Sequence, residues 1–303
     1  MTKGLKTFLT AFAVSLPFWW GINVFQKNFD AYLTAQISEP LEQMVSFDYK
    51  REQKPMPDIT ADAVLSVRLN PSGKMKVMVE ENAGKSLPIA SVTKLMTAFI
   101  VLEDPENFGF SKIITISNDA ASQGTTPNYG NLKVGEKYTL EELVELMLIY
   151  SSNHAAFALS ETIGTDAFVE RMNEKAQEMG MINTHFTNPT GLDPKDGGDL
   201  NYSTANDLIL LTREILKTQP SIFRIGAKAH NYNSIENGLS NLILPDDDEF
   251  IGGKTGYTTG AGGCILYLFK DQNENTYVNV ILGTGTEDAR ISQMQKLINW
   301  LSV

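Results

Sequence analysis

A single cysteine, Cys264, stands among 303 residues, so no disulfide within the chain and no cysteine-based zinc cage can form. Histidine is scarce as well. His154, His185 and His230 make up the set, and no His-Glu-x-x-His occurs, which excludes the common zinc-hydrolase helix. Gly-x-Ser-x-Gly and a P-loop are both missing, which removes the nucleophile elbow of α/β-hydrolases and the usual phosphate cradle. Positive charge is in deficit. The 25 Lys+Arg against 36 Asp+Glu give a net charge of −11, which argues against nucleic acid as a partner. Repeats and low-complexity tracts are absent, and 42% hydrophobic residues supply a sizeable core rather than a disordered chain.

Long apolar runs are limited to one. Residues 7–25 carry no charge and follow Lys3 and Lys6. At roughly 1.5 Å per residue such a run just matches a hydrocarbon layer of about 30 Å. Trp19 and Trp20 suit an interfacial belt. The nearby Ala-x-Ala, Ala11 and Ala13, lies inside the run rather than after it, which favours an uncleaved anchor over a signal peptide. Lys3 and Lys6 place the N-terminus in the cytoplasm, so the remainder faces outside as a single-pass membrane protein; secretion after cleavage is the alternative. The expected organisation is a cytoplasmic stub and transmembrane helix over 1–28, a stalk over 29–60, and one domain over 61–303.

Within that domain a hairpin is expected from 64–69 and 75–80 around the turn Asn70-Pro-Ser-Gly73. A helix opens at Ser91 and runs to about 102. Thr139 and Glu142 form a capping box for a helix to about 150. Further helices are expected over 154–163, 166–179 (stopped by Gly180) and 204–217. Strand patterns return at 250–255, 264–270 and 277–282, and a last helix covers 288–301. Strands at both ends with helices between them predict an α+β domain whose terminal segments share one sheet.

Three short motifs each occur once. Ser91-Val-Thr-Lys94 puts a hydroxyl and an amine at i and i+3, on one face of a helix. A serine needs a base to become a nucleophile, and a desolvated lysine can serve. Ser151-Ser-Asn153 falls between two helices, where a loop can present side chains, and Lys254-Thr-Gly256 lies on a strand. Taken singly, the first two read as capping chemistry, and the third as a strand ending in a glycine turn. The acidic loop with Asp193, Asp196 and Asp199 fails the EF-hand spacing and reads as solvated, so no metal site is expected. Cys264 reads as buried and inert, and the histidines as surface or packing residues, with His154 beside Asn153.

As an ordered set, Ser-x-x-Lys, Ser-x-Asn and Lys-Thr-Gly resemble the penicillin-recognising serine enzymes. The flanks narrow the resemblance to the low-molecular-mass D-alanyl-D-alanine carboxypeptidases. They are Pro88 to Ala98, Met172-Asn, Lys175-Ala, Met179-Gly-Met, Thr184-His-Phe-Thr-Asn-Pro-Thr-Gly-Leu192, Tyr202 to Leu208, and Gly253 to Thr258. Ser152 stands where glycine or alanine is common in that family, and where many members carry a small β-rich second domain a catalytic domain alone is expected here, with a short segment after Leu282.

The resemblance implies the β-lactamase/D,D-peptidase-like transpeptidase fold, an antiparallel sheet flanked by helices. It implies Ser91 as acylated nucleophile, Lys94 as general base and Ser151 as proton relay. Asn153 would hold the substrate backbone, and Lys254 and Thr255 its terminal carboxylate. Gly256 would allow close approach, and the N–H groups of Ser91 and Tyr257 would form an oxyanion hole. Thr255 points away from Lys254 on a regular strand, so a local twist is needed for both to reach one ligand. Arg290 is an alternative cation if the last helix packs beside the cleft. The implied partners are a peptidoglycan stem peptide ending in D-Ala-D-Ala and β-lactam antibiotics as covalent inhibitors, with no cofactor. A D,D-endopeptidase and an inactive cell-wall binding module are the alternatives. A class A β-lactamase is disfavoured, because Ser-Asp-Asn and Glu-x-x-Leu-Asn are missing.

Overall fold

A computed structural model describes residues 55–302 apart from 105, 110, 125–129, 196, 228–238, 240, 241 and 247. The anchor expected over 1–28, most of the stalk, and His230 lie outside these residues. Among the described residues no helix is long and apolar enough to cross a membrane.

In chain order the described elements begin with β1 (Ala63–Leu69), β2 (Met75–Glu81) and β3 (Leu87–Pro88). A 3-10 turn (Ala90–Thr93) leads into α1 (Lys94–Glu103), then β4 (Ile113–Thr115), α2 (Asn118–Ala121) and β5 (Lys137–Thr139). Helices α3 (Leu140–Ile149), α4 (Asn153–Ser160) and α5 (Thr165–Glu178) follow. After β6 (Tyr202–Ser203) come α6 (Ala205–Thr218) and α7 (Ser221–Ala227). The chain closes with β7 (Glu249–Thr258), β8 (Gly262–Lys270), β9 (Thr276–Thr284) and α8 (Glu287–Leu301).

The main sheet is antiparallel in the order β2-β1-β9-β8-β7. β1 pairs with β9 from Ala63↔Leu282 to Leu69↔Thr276, so the two ends of the domain do share a sheet. Alternation along β8 separates two cores. Leu266 and Leu268 join the helical core with Leu95, Met147 and Phe168, whereas Ile265, Tyr267 and Phe269 pack with Met294, Leu297 and Ile298 of α8. The α+β fold with helices on both faces of the sheet follows from this two-sided apolar pattern.

Sequence signals hold where chemistry is local. The Thr139–Glu142 capping box is present in full. Thr204 and Thr286 cap α6 and α8 through their side chains. Gly180, with φ 77°, ends α5 as expected.

Three expectations are corrected. Ser91 does not open an α-helix; it sits in the 3-10 turn behind Ala90, whose φ is 46°. The strand expected over 250–255 runs for ten residues, because its glycines, poor strand formers by propensity, serve close packing. A Cβ on Gly252 would stand 2.6 Å from Phe223 O of α7. The end of the expected stalk belongs to the domain. Pro55 O and Asp58 O accept from Trp300 and Lys296 of α8, and Thr60 N–H donates to Gln293 Oε1 at 2.9 Å.

Candidate active site

The first serine is delivered by a strained turn. Ala90 takes a left-handed backbone just before Ser91, a conformation that costs an alanine about 1–2 kcal/mol. Two clamps hold it. β3 pairs with β6, and Ile89 N–H donates to Asn201 O at 3.2 Å. From above, the loop through Thr190 and Gly191 presses on the turn. A Cβ on Gly191 would stand 1.9 Å from Ala90 O, and its φ is +80°.

Lys94, at the start of α1, is fully buried. Its Nζ lies 2.8 Å from Ser91 Oγ, 2.7 Å from Asn153 Oδ1 and 2.6 Å from Thr190 O. The amide of Asn153 is oriented by its other end, where Nδ2 donates to Gly124 O at 2.7 Å. Two of the three neighbours of Nζ are therefore pure acceptors. Burial, reinforced by the charge of Lys254, holds the amine well below its usual range. A neutral amine donates two hydrogens to Asn153 and Thr190 and turns its lone pair to the Ser91 hydroxyl.

The second serine, Ser151, also sits in a left-handed conformation (φ 60°), in the turn between α3 and α4. Ser152 N–H closes α3 on Leu146 O at 3.2 Å, while Ser152 Oγ caps α4 on Ala155 N–H and donates to Gly130 O. Serine at 152, where the resembled family prefers a smaller residue, thus fastens the loop opposite. Ser151 Oγ accepts from Lys254 Nζ at 2.9 Å, and the same Nζ donates to Thr255 O at 2.9 Å.

Strand β7 lies at the sheet edge and brings Lys254 in. Lys254 pairs with Leu266 and Gly256 with Cys264, so both face the helical core; Thr255 pairs with Ile265 and faces α8. The register is unbroken from Gly252 to Thr258, and the local twist that would bring both side chains to one ligand is not there. Thr255 joins the cluster through its carbonyl. Gly256 is required by contact: a Cβ there would lie 2.7 Å from Ser91 N and 2.9 Å from Ala90 Cβ. Tyr257, next along the edge, is 44% exposed.

Arg290 of α8 supports β7 from the other side. Its Nη1 donates to Gly256 O at 3.0 Å, and its Nη2 to Glu287 Oε1 at 2.8 Å. Burial and the charge of Arg290 bring the Lys254 amine down to about 7. Arg290 thus lowers Lys254, and Lys254 lowers Lys94, in a protein of net charge −11.

The structure brings five of these side chains into two hydrogen-bonded clusters, Lys94 with Ser91 and Asn153, and Lys254 with Ser151, near enough for the charge of Lys254 to act on Lys94. Sequence reasoning missed the residues that hold it. Asn201 Oδ1 accepts from Thr187 N, Thr187 Oγ1 and Asn188 N, while its Nδ2 reaches Thr93 Oγ1 and Asn188 O. Asn188 Oδ1 in turn accepts from Thr190 N and Gly191 N. Thr97 Oγ1 ties Pro189 O at 2.7 Å. The Asn188-Pro-Thr-Gly191 turn pattern was the available signal. Asp193 in the acidic loop accepts from Gly260 N at 2.8 Å. Cys264 is buried, its thiol pushed up to about 11 by desolvation. Among the described residues no group of three or more His, Cys, Asp or Glu could hold a metal ion.

Comparison with known proteins agrees with this geometry. The sequence profile of a family described as D-alanyl-D-alanine carboxypeptidase, peptidase S11, matches residues 49–286. The chain is 33% identical over 236 residues to the D-alanyl-D-alanine carboxypeptidase DacF of Bacillus subtilis, covering 74% of this chain but 58% of that protein. It is 31% identical over 231 residues to a D-alanyl-D-alanine endopeptidase of Haemophilus influenzae, covering 72% of this chain and 75% of that one. The crystal structure of penicillin-binding protein D2 from Listeria monocytogenes, in its ampicillin-bound form, superposes with a TM-score of 0.66 at 27% identity, covering 81% of this chain and 99% of that one.

Proposed function

The chain belongs to the D-alanyl-D-alanine carboxypeptidase family, peptidase S11, and from that premise we propose that it removes the terminal D-alanine from peptidoglycan stem peptides through a Ser91 acyl-enzyme. The observation that carries this reading is the Lys94–Ser91 contact at 2.8 Å within a site whose burial holds the lysine amine well below its usual range. Lys94 Nζ takes the Ser91 proton as Oγ attacks the carbonyl of the penultimate D-alanine. The oxyanion is met by the N–H groups of Ser91 and, along the open edge of β7, Tyr257. Ser151, hydrogen-bonded to Lys254, gives its hydroxyl proton to the departing amine and takes in its place the proton that Lys94 removed from Ser91, so Lys94 is again a free amine. Water then cleaves the ester, releasing the shortened peptide and restoring the Ser91 hydroxyl. Lys254 attracts the terminal carboxylate, and Asn153, whose Oδ1 is held by Lys94, offers its remaining amide N–H to the peptide.

The test is intact-mass analysis after exposure to benzylpenicillin, a compound of the class held by the Listeria relative. One adduct, mapped to the peptide containing Ser91 and lost in Ser91→Ala, is expected. An equal adduct on the alanine variant removes Ser91 from the mechanism, and no adduct on the parent chain favours an inactive binding module.

A D,D-endopeptidase is the second reading, favoured by the similarity to the Haemophilus endopeptidase across 75% of that protein's length. Product analysis on purified muropeptides separates the two: released D-alanine marks a carboxypeptidase, and monomers from cross-linked dimers mark an endopeptidase. The uncharged run over 7–25 behind Lys3 and Lys6 supports anchoring to the membrane with the domain outside. Deleting 1–28 should release an active soluble protein, whereas a trimmed N-terminus on full-length material from the medium identifies a signal peptide.

A further inference from the structure

Three successive residues at the head of α4 fasten the two stems of one loop. Ser152 Oγ donates to Gly130 O, and Asn153 Nδ2 donates to Gly124 O at 2.7 Å. His154, 3% exposed, does not line the cleft; its ring lies between Gln123 and Leu132. The N–H of Leu132 points at His154 Nδ1 over 2.9 Å, which makes Nδ1 the acceptor and leaves the ring proton on Nε2, 3.1 Å from Gln123 O. Leu132 O also stands 3.0 Å from Nδ1, but with Nδ1 as acceptor that approach is not a second hydrogen bond. One flat side chain therefore joins the incoming stem at Gln123 to the outgoing stem at Leu132.

The peptide bond that follows Gln123 belongs to Gly124, whose carbonyl sets the orientation of the Asn153 amide. That orientation matters to Lys94. With Oδ1 toward Nζ, the amide accepts from the lysine; rotated, it would present N–H to N–H. We propose that His154 is a positioning residue for the reaction, acting through Gln123–Gly124 and Asn153 to keep Lys94 aligned on Ser91. Its contribution is a hydrogen bond to a backbone carbonyl at one place in the fold, which no apolar side chain of similar volume can supply. The proposal deepens the reading of Lys94 as base and rests on it.

Removing the tie lets the amide turn, so an ammonium at Lys94 loses one of its acceptors. The proton is then held less tightly, and the Lys94 titration moves to lower pH. A purely structural histidine would lower melting temperature without moving that titration. The experiment labels lysine at 13Cε in the full chain and follows Lys94 by NMR against pH, with benzylpenicillin acylation measured separately. His154→Gln can return an amide N–H to the place of Nε2, His154→Asn reaches only the place of Nδ1, and His154→Leu supplies neither.

In His154→Asn and His154→Leu the Lys94 midpoint should fall by about half a unit or more. Acylation in both should slow about tenfold, and His154→Gln should stay near the parent chain in both readouts. A folded His154→Asn or His154→Leu with the parent midpoint overturns the proposal, as does a His154→Gln that shifts as far as His154→Leu. If His154→Leu fails to fold, the Gln and Asn variants carry the same comparison. A parent chain that takes no penicillin, but whose Lys94 midpoint falls in His154→Asn, supports the positioning role and defeats the proposed function instead.

Discussion

Of the three atoms hydrogen-bonded to Lys94 Nζ, only Ser91 Oγ, 2.8 Å away, can give it a proton; Asn153 Oδ1 and Thr190 O can only accept. A second serine–lysine pair stands beside it: Lys254 Nζ donates to Ser151 Oγ and to Thr255 O, each at 2.9 Å. Two lysines thus face two serines, and among the described residues no carboxylate shares in either cluster's hydrogen bonds. Buried lysines normally pair with acids, and a site that instead stacks cations favours neutral amines. Proton transfer rather than ion pairing is what such a cluster suits.

Lys94→Arg should abolish most acylation. A guanidinium stays charged and cannot take the serine proton. General-base loss costs on the order of 100- to 10,000-fold. Lys94→Ala guards against mere overcrowding by the larger side chain and should fall as far. In the parent chain the acylation rate should drop as pH falls through the depressed Lys94 value, since protonation removes the lone pair. Activity of either variant within a few-fold of the parent takes Lys94 out of the base role.

Lys254→Met should trade activity for stability. The folded-state value of Lys254 is about 7 against 10.5 for the free side chain, so between these the unfolded chain binds a proton that the folded chain does not. Stability therefore rises with pH through that window, and the burden is greatest below it. The variant should melt a few degrees above the parent at pH 6, at about 2–4 °C for each kcal/mol in a chain of this size. The two melting temperatures should converge toward pH 10. A gap that is constant with pH assigns the effect to packing rather than to the buried cation.

Gly191→Ala and Gly180→Ala form a matched pair. Both glycines are left-handed, with φ of 80° and 77°. Nothing lies within 4 Å of a Cβ on Gly180, whereas one on Gly191 meets Ala90 O at 1.9 Å. Gly180→Ala should cost about 1–2 kcal/mol of stability and leave acylation intact. Gly191→Ala must displace the turn that carries Ser91, and a shift of about 1 Å there should cost on the order of 100-fold in acylation. Calorimetry beside acylation kinetics separates the two, and an active Gly191→Ala would mean that the turn is not held by this contact.

The sequence made the elements legible where each carried its own signal. The Thr139 capping box, the Asn70 turn and the apolar runs of β8 and β9 act over a few residues. Ser91, Lys94, Ser151, Asn153 and Lys254 were legible because three motifs fall in a known order. Their mutual support was not. Asn201 acts through five hydrogen bonds to residues 13 to 108 positions away, and no local pattern encodes such a hub. The left-handed backbones of Ala90 and Ser151 escaped for the opposite reason: tertiary contacts impose them against local preference. Thr255 shows the limit of carrying a motif over whole, since unbroken pairing with Ile265 turns its side chain toward α8.

Lys254 should be the group that reads the substrate's terminal carboxylate. Thr255 faces the other side of β7, and Arg290 is committed to Gly256 O and Glu287. A hydrogen bond from a charged group is worth about 1.5–3 kcal/mol, on the order of 10- to 100-fold in rate. The comparison is between a peptide ending in D-Ala-D-Ala and its C-terminal amide, on the parent chain and on Lys254→Gln. The parent should prefer the free acid by that factor, and the variant should lose most of the preference. The pH profile gives an independent check. Lys254 must carry its proton to attract an anion, so kcat/KM, which reports the free enzyme, should decline as pH rises past about 7. A bound carboxylate favours the ammonium, so the decline in kcat should come at higher pH. In Lys254→Gln the alkaline decline should vanish. A preference for the free acid that survives the mutation assigns carboxylate reading to another cation. A parent chain with no preference gives weight to the endopeptidase reading, because a cross-linked substrate continues past the bond that is cut.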